Sequence, residues 1–200
     1  RKLVGLLVTI LVMGFLGACS QEETSTSSST SQENTVEFAE SNYHLRDKDL
    51  LYQEDPQSVK TLYLTIKSGL ESENTNHTWE EINTYSAYDY EKWGVPRYRV
   101  AAILQAGDDS GPLAGQVGYN ETVPNATVQV RGQTSSRNQQ KNYKIKLKKN
   151  KGSWQGQRTL NLNKHQTDGL RFRNKLAYDL IRGIPQIMGL RTQFVHLYVK

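Results

Sequence analysis

The sequence holds one cysteine, Cys19, so no disulfide framework can form within the chain. Paired metal ligands are missing as well. His44, His77, His165 and His196 are scattered, and read as surface or packing residues; no metal ligands are expected among them. The longest apolar run, from Leu3 to Leu16, falls short of the ~20 residues that a membrane-spanning helix needs. Acid is nearly absent from one part of the chain. Residues 126–200 carry 16 Lys/Arg against only Asp168 and Asp179, a net of +14, whereas residues 1–125 carry 9 against 18, a net of −9. Two readings stay open for such asymmetry. The basic part meets an anion, or the acidic half of the chain or sequence beyond Lys200 covers it.

The run that begins at Leu3 follows Arg1-Lys2, a basic segment before a short apolar one, as in an export signal. It ends Leu16-Gly17-Ala18-Cys19, which resembles the bacterial lipobox, where the cysteine receives lipid and becomes the mature N-terminus. Residue 1 is not a methionine, so the true start is expected upstream. Residues 20–40 are rich in Ser, Thr, Glu and Gln with little to bury, the composition of a flexible stalk. The expectation is a signal over 1–19, a stalk over 20–40 and a folded part over 41–200. The domain is then held outside the cytoplasmic membrane by lipidated Cys19, with the lipid bilayer as a partner.

From residue 41 the pattern is globular. "KTLYLTIK" at 60–67 alternates Leu62, Leu64 and Ile66 with Tyr63 and Thr65, a half-buried strand. "RYRVAAILQAG" at 97–107 is a more continuously apolar strand, and strands follow at 126–131, 142–148 and 158–163. One helix is expected over 168–182, with Asp168 as N-cap and Leu176, Ala177, Leu180 and Ile181 as its apolar stripe. Gly183 and Pro185 end it. A last strand covers 191–199, and a chain that stops on a strand is expected to continue. Runs of strands with one helix indicate an α+β fold, a mostly antiparallel sheet with the helix packed on it. Tyr85, Tyr88, Tyr90, Trp93 and Tyr98 cluster; exposed, such rings stack on sugars or bases, but packing on a sheet face is the commoner use. Trp154 reads the same way.

The basic part is densest in "VRGQTSSRNQQKNYKIKLKKNKG" at 130–152. Tyr143, Ile145 and Leu147 alternate with Lys144, Lys146 and Lys148, so one strand face is apolar and the other cationic. Ala126, Val128 and Val130 alternate in the same way with Thr127, Gln129 and Arg131. Residues 132–141 form the loop between these two strands.

This region resembles the spore coat CotH family, whose members are similar to atypical, secreted protein kinases. Arg131-Gly132, Lys141 through Leu147, Leu160 through Lys164 with Asp168, Arg173-Asn174-Lys175-Leu176 and Arg191-Thr192 carry the resemblance, which spans about 95–200. It implies the N-terminal lobe of a kinase-like fold that binds ATP with Mg²⁺ or Mn²⁺ and phosphorylates Ser/Thr of surface or coat proteins. Under that resemblance loop 132–141 covers the phosphates. Arg131, Ser135, Ser136, Lys141, Lys144 and Lys146 are the candidate nucleotide-binding residues, with Lys144 or Lys146 foremost. The loop has one glycine where an ordinary kinase lid has several, and helix 168–182 offers no glutamate to pair with a strand lysine. Catalytic carboxylates are expected beyond Lys200, so this stretch alone is expected to be inactive. Two other readings remain: a non-catalytic surface binding or assembly protein of the same fold, and a polyanion binder. No base-reading motif is present and the export signal argues against nucleic acid as a partner.

Overall fold

The computed structural model describes residues 58–184, 187 and 189–200. The signal, the stalk, Cys19 and Pro185 lie outside them. The described residues fall within the unit that spans Tyr43–Lys200.

The alternation of apolar and polar residues builds one sheet. Strands β1 (Val59–Lys67), β2 (Val100–Asp108), β3 (Gly111–Pro112), β4 (Ala126–Arg131), β5 (Asn142–Leu147), β6 (Thr159–Leu162) and β7 (Phe194–Val199) lie in the order β6-β5-β4-β2-β1-β7, with β3 on β2. Every pairing is antiparallel except β1 with β7. Helices α1 (Trp79–Thr84), α2 (Ala87–Trp93) and α3 (Arg173–Arg182) complete an α+β fold.

Period-2 patterning puts Leu62, Leu64, Val100, Ala102, Leu104, Ala126, Val128, Ile145, Leu147 and Leu160 on one face, all buried. Ile82 of α1 joins them, and Trp79, Tyr98, Val117, Tyr143 and Trp154 pack against the cluster. Trp79 stacks on Tyr143 at 4.9 Å, and the Tyr143 hydroxyl donates to Asn83 Oδ1 at 2.7 Å. Tyr85, Tyr90, Trp93 and Tyr98 meet one another edge to face. They pack as an aromatic block, and burial pushes the Tyr90 phenol up to about 12.

The helices are capped as their sequences direct. Thr78 Oγ1 accepts from the Glu81 amide at 3.1 Å while Glu81 Oε2 accepts from the Thr78 amide at 2.6 Å, a reciprocal capping box. Asp89 Oδ2 accepts from both the amide and the hydroxyl of Ser86.

Beyond α1 and α2, which join the single helix that was expected, three sequence expectations are corrected. The strand expected over 97–107 begins only at Val100. The Arg97 carbonyl accepts from Asn74 Nδ2 at 3.0 Å instead of from a strand, and the Arg97 guanidinium bonds the Gly132 and Val130 carbonyls. Helix α3 starts at Arg173, with Phe172 in the N-cap position. Asp168 still serves that end from five residues upstream: its carboxylate accepts from the Arg173 amide at 3.0 Å and the Leu170 amide at 3.3 Å. A left-handed Arg171 (φ 59) lies in the intervening turn.

The third correction concerns packing. Leu176 and Leu180 are 48% and 66% exposed, and the buried residue of α3 is Lys175, whose Nζ donates to Asp179 Oδ2 at 2.7 Å. A helical period states that a helix has an apolar stripe, not which surface meets it. Here α1 and the aromatic side chains already cover the apolar face of the sheet.

Candidate functional site

On the opposite face β2 presents the buried Ala101 and Ile103, whereas β4 and β5 present the polar half of their alternation. Across the β4–β5 ladder Lys144 stands opposite Gln129, Lys146 opposite Thr127 and Asn142 opposite Arg131. Arg99, just ahead of β2, donates from Nε to Gln129 Oε1 at 3.2 Å. Arg99, Thr127, Gln129, Lys144 and Lys146 together line a cavity of about 80 Å³. That admits a few waters or one phosphate-sized group, at roughly 30 Å³ per water. A larger ligand must extend over the open face.

The pairing of the cations is uneven. Lys148 meets Glu73 at 2.8 Å, Lys151 meets Glu121 at 3.2 Å and Lys175 meets Asp179 at 2.7 Å. Among the described residues Lys144 and Lys146 have no such partner. Two residues apart on one strand face, their Cβ atoms are separated by about 6.6 Å. An anion held between two cations offsets their mutual repulsion, so the two lysines suit an anion there.

The residues that the sequence singled out divide into two groups. Arg131 lies on the same face as Lys144 and Lys146, with its guanidinium tied to Asn163 Oδ1. Ser136 does not reach this face: it is 1% exposed, its Oγ accepts from the Ala87 amide at 2.9 Å and donates to the Gln133 carbonyl at 2.6 Å. Lys141 Nζ donates to the Ser136 carbonyl at 2.7 Å, and burial holds its pKa below the usual value. Ser135 Oγ accepts from Asn142 Nδ2 at 3.3 Å.

Loop 132–141 is thus fastened in place. Its 3₁₀ turn, Thr134–Arg137, is held to α2 by the Ser136–Ala87 bond, by Gln133 Nε2 on Glu91 Oε1 at 2.5 Å and by Arg137 over the Tyr88 ring at 4.6 Å. Arg97 binds the Gly132 carbonyl at 2.9 Å and Gln133 Oε1 at 3.1 Å. Gly132 has φ +92, and a Cβ there would stand 2.0 Å from Ser135 Oγ, so the turn requires glycine.

Sequence reasoning missed Arg99, Thr127 and Gln129. The last two were legible, since they alternate with core residues on the partner of the cationic strand. Arg99 was not, because it sits where an apolar strand was expected.

Carboxylates are scarce around this face. Asp168 is occupied at the start of α3 and Asp179 by Lys175. Among the described residues no three acidic, His or Cys side chains come together as metal ligands. No metal site is therefore preformed among the described residues, and no step is assigned to a divalent ion.

Residues 128–200 match the family described as CotH kinase protein. The match takes in most of β4 and all of β5, β6, α3 and β7, with Arg131, Lys144 and Lys146; it supports the resemblance there and does not extend to 95–127. No curated protein and no solved structure matches the chain.

Proposed function

We propose that this chain, CotH-like over residues 128–200, is the nucleotide-cradling part of an atypical protein kinase and holds the phosphates of ATP on the polar face of its sheet. One observation carries the reading: Lys144 and Lys146, unpaired among the described residues, converge with Arg99 on a single cavity. Phosphoryl transfer asks a protein mainly to position phosphates and to balance their charge. Cations on paired strands suit that task better than cations on a loop, because the ladder fixes their spacing. ATP, accompanied by Mg²⁺ or Mn²⁺, supplies the phosphoryl group for Ser/Thr of a surface or coat protein. Within the chain, Lys144, Lys146 and Arg99 bind phosphate oxygens, Thr127 and Gln129 orient them by hydrogen bonds, and Arg131 extends the positive edge. Ser136 and Lys141 act indirectly by shaping loop 132–141. Neither Asp168 nor Asp179 is free at the face, so the chain is assigned binding and no transfer step.

The same proposal places the protein outside the cytoplasmic membrane, anchored to the bilayer through lipidated Cys19. That rests on residues 1–40 alone.

Calorimetric titration with ATP tests the reading. A charge-assisted contact is worth about 1.5–3 kcal/mol, so Lys144→Ala and Lys146→Ala should each weaken ATP binding about tenfold or more. Equal affinity in the three proteins, or no binding at all, removes the assignment. A non-catalytic binding protein of this fold would show no nucleotide binding. A general polyanion binder would take ATP no better than other anions of equal charge, with affinity falling steeply as salt rises.

A further inference from the structure

The same sheet face carries a second cavity at its other corner, away from the cations. It has a volume of about 330 Å³ and is lined by Tyr63, Thr65, Gln105, Asp109, Ser110 and Tyr198, among others. Tyr63 and Tyr198 are register partners on β1 and β7, and their rings stack at 5.3 Å with an interplanar angle of 15°. The Trp79–Tyr143 stack, by comparison, packs against the core. Tyr198 instead remains 47% exposed, on a strand at the edge of the sheet.

The surroundings of the pair are built in a definite way. The Tyr63 hydroxyl donates to the Asp108 carbonyl at 2.5 Å, which fixes the ring against the β2–β3 hairpin. Asp108 spends its carboxylate on the amide and hydroxyl of Ser110. Asp109 has an 83% exposed side chain, with Thr61 Oγ1 donating to it at 3.3 Å and His196 Nδ1 standing 4.0 Å away. Gln105 donates from Nε2 to the Gly118 carbonyl at 3.1 Å, which leaves its Oε1 as an acceptor.

These groups select a ligand class. The two tyrosine rings face each other, so their outer faces and edges are the apolar surface a ligand can meet, while a carboxylate, an amide oxygen and hydroxyls offer acceptors and donors in alternation. The volume lies at the lower end of the roughly 300–1,000 Å³ usual for small-molecule sites. Phosphate is disfavoured, because Asp109 faces the cavity and no cluster of cations does. A strongly cationic ligand is disfavoured in turn by Lys200 in the lining and His196 beside Asp109. What remains is a neutral, hydroxyl-rich ring with apolar faces. We infer that the Tyr63–Tyr198 cavity is a saccharide-binding site, in which a sugar ring lies against an outer face of the tyrosine pair and its hydroxyls bond Asp109 and Gln105. The site does not depend on the nucleotide reading and stands or falls separately from it.

The test is a titration of the 200-residue chain with maltose, cellobiose and chitobiose, followed by saturation-transfer NMR and tyrosine fluorescence. Choline and inorganic phosphate serve as charged comparisons. The expected result is saturable binding of at least one disaccharide, weakened about tenfold by Tyr198→Ala, in line with the roughly 1–3 kcal/mol that a stacking contact contributes. Asp109→Asn, at a side chain too exposed to matter for folding, should weaken it as well; it keeps the test valid even if Tyr198→Ala loosens the sheet edge. Failure of all three sugars to saturate, unchanged affinity in Asp109→Asn, or tighter binding of choline or phosphate than of any sugar overturns the inference.

Discussion

The hydroxyl of Ser136 accepts a hydrogen bond from the backbone amide of Ala87, 49 residues away in the chain. The contact fastens the turn between β4 and β5 to the first turn of α2, and with it sets how the cationic hairpin ends. Ser136→Ala leaves the buried Ala87 amide without its partner, at a cost of about 1–3 kcal/mol. Urea unfolding of the variant should show that loss. Ser135→Ala removes only a long 3.3 Å contact to a half-buried amide, and should stay within about 0.5 kcal/mol of the parent.

Asn125 substitutes for a strand. It is fully buried, and its side chain accepts from the Leu104 amide at 2.7 Å and donates to the Leu104 carbonyl at 2.9 Å, next to where β4 begins its pairing with β2. Asn125→Ala exposes two backbone groups with nothing to replace the bonds. The expected destabilisation is about 2–4 kcal/mol. Hydrogen exchange at the Leu104 amide should accelerate before that of the rest of β2.

The start of α3 should be sensitive to acid. Burial raises the Asp168 pKa, but the Arg173 and Leu170 amides together outweigh it, so the carboxyl sits below its ordinary 3.8. A carboxyl with a lowered folded pKa contributes stability that is complete above the unfolded value and is lost as pH falls through the folded one. Asp168→Ala should therefore be less stable than the parent near neutrality. The difference from the parent should vanish well below pH 3.8. Amide exchange at Arg173, read at both pH values, checks the sign.

Much of the sheet could be read from the residues. Val128 and Val130 alternating with Gln129 and Arg131, and Ile145 and Leu147 with Lys144 and Lys146, fix which side chains share a face, because the period of a strand is two. That is why the cationic face was legible. The fate of Ser136 and Lys141 was not: a serine or lysine in a loop has no period, and their partners, Ala87 and the Ser136 carbonyl, are set by how the turn docks on α2. The burial of Lys175 in place of Leu176 was hidden for a related reason. Pattern reports two faces of a helix, and only the neighbours decide which is covered. Nor could the Tyr63–Tyr198 stack be seen, since the parallel pairing of β1 with β7 joins strands far apart in sequence.

The most direct measurement maps a non-hydrolysable ATP analogue onto the isotope-labelled chain by NMR. The account expects the largest shifts at Arg99, Thr127, Gln129, Lys144 and Lys146, saturating together with one affinity. Shifts centred on Tyr63 and Tyr198, or spread over every lysine of residues 126–200 without saturation, would contradict it.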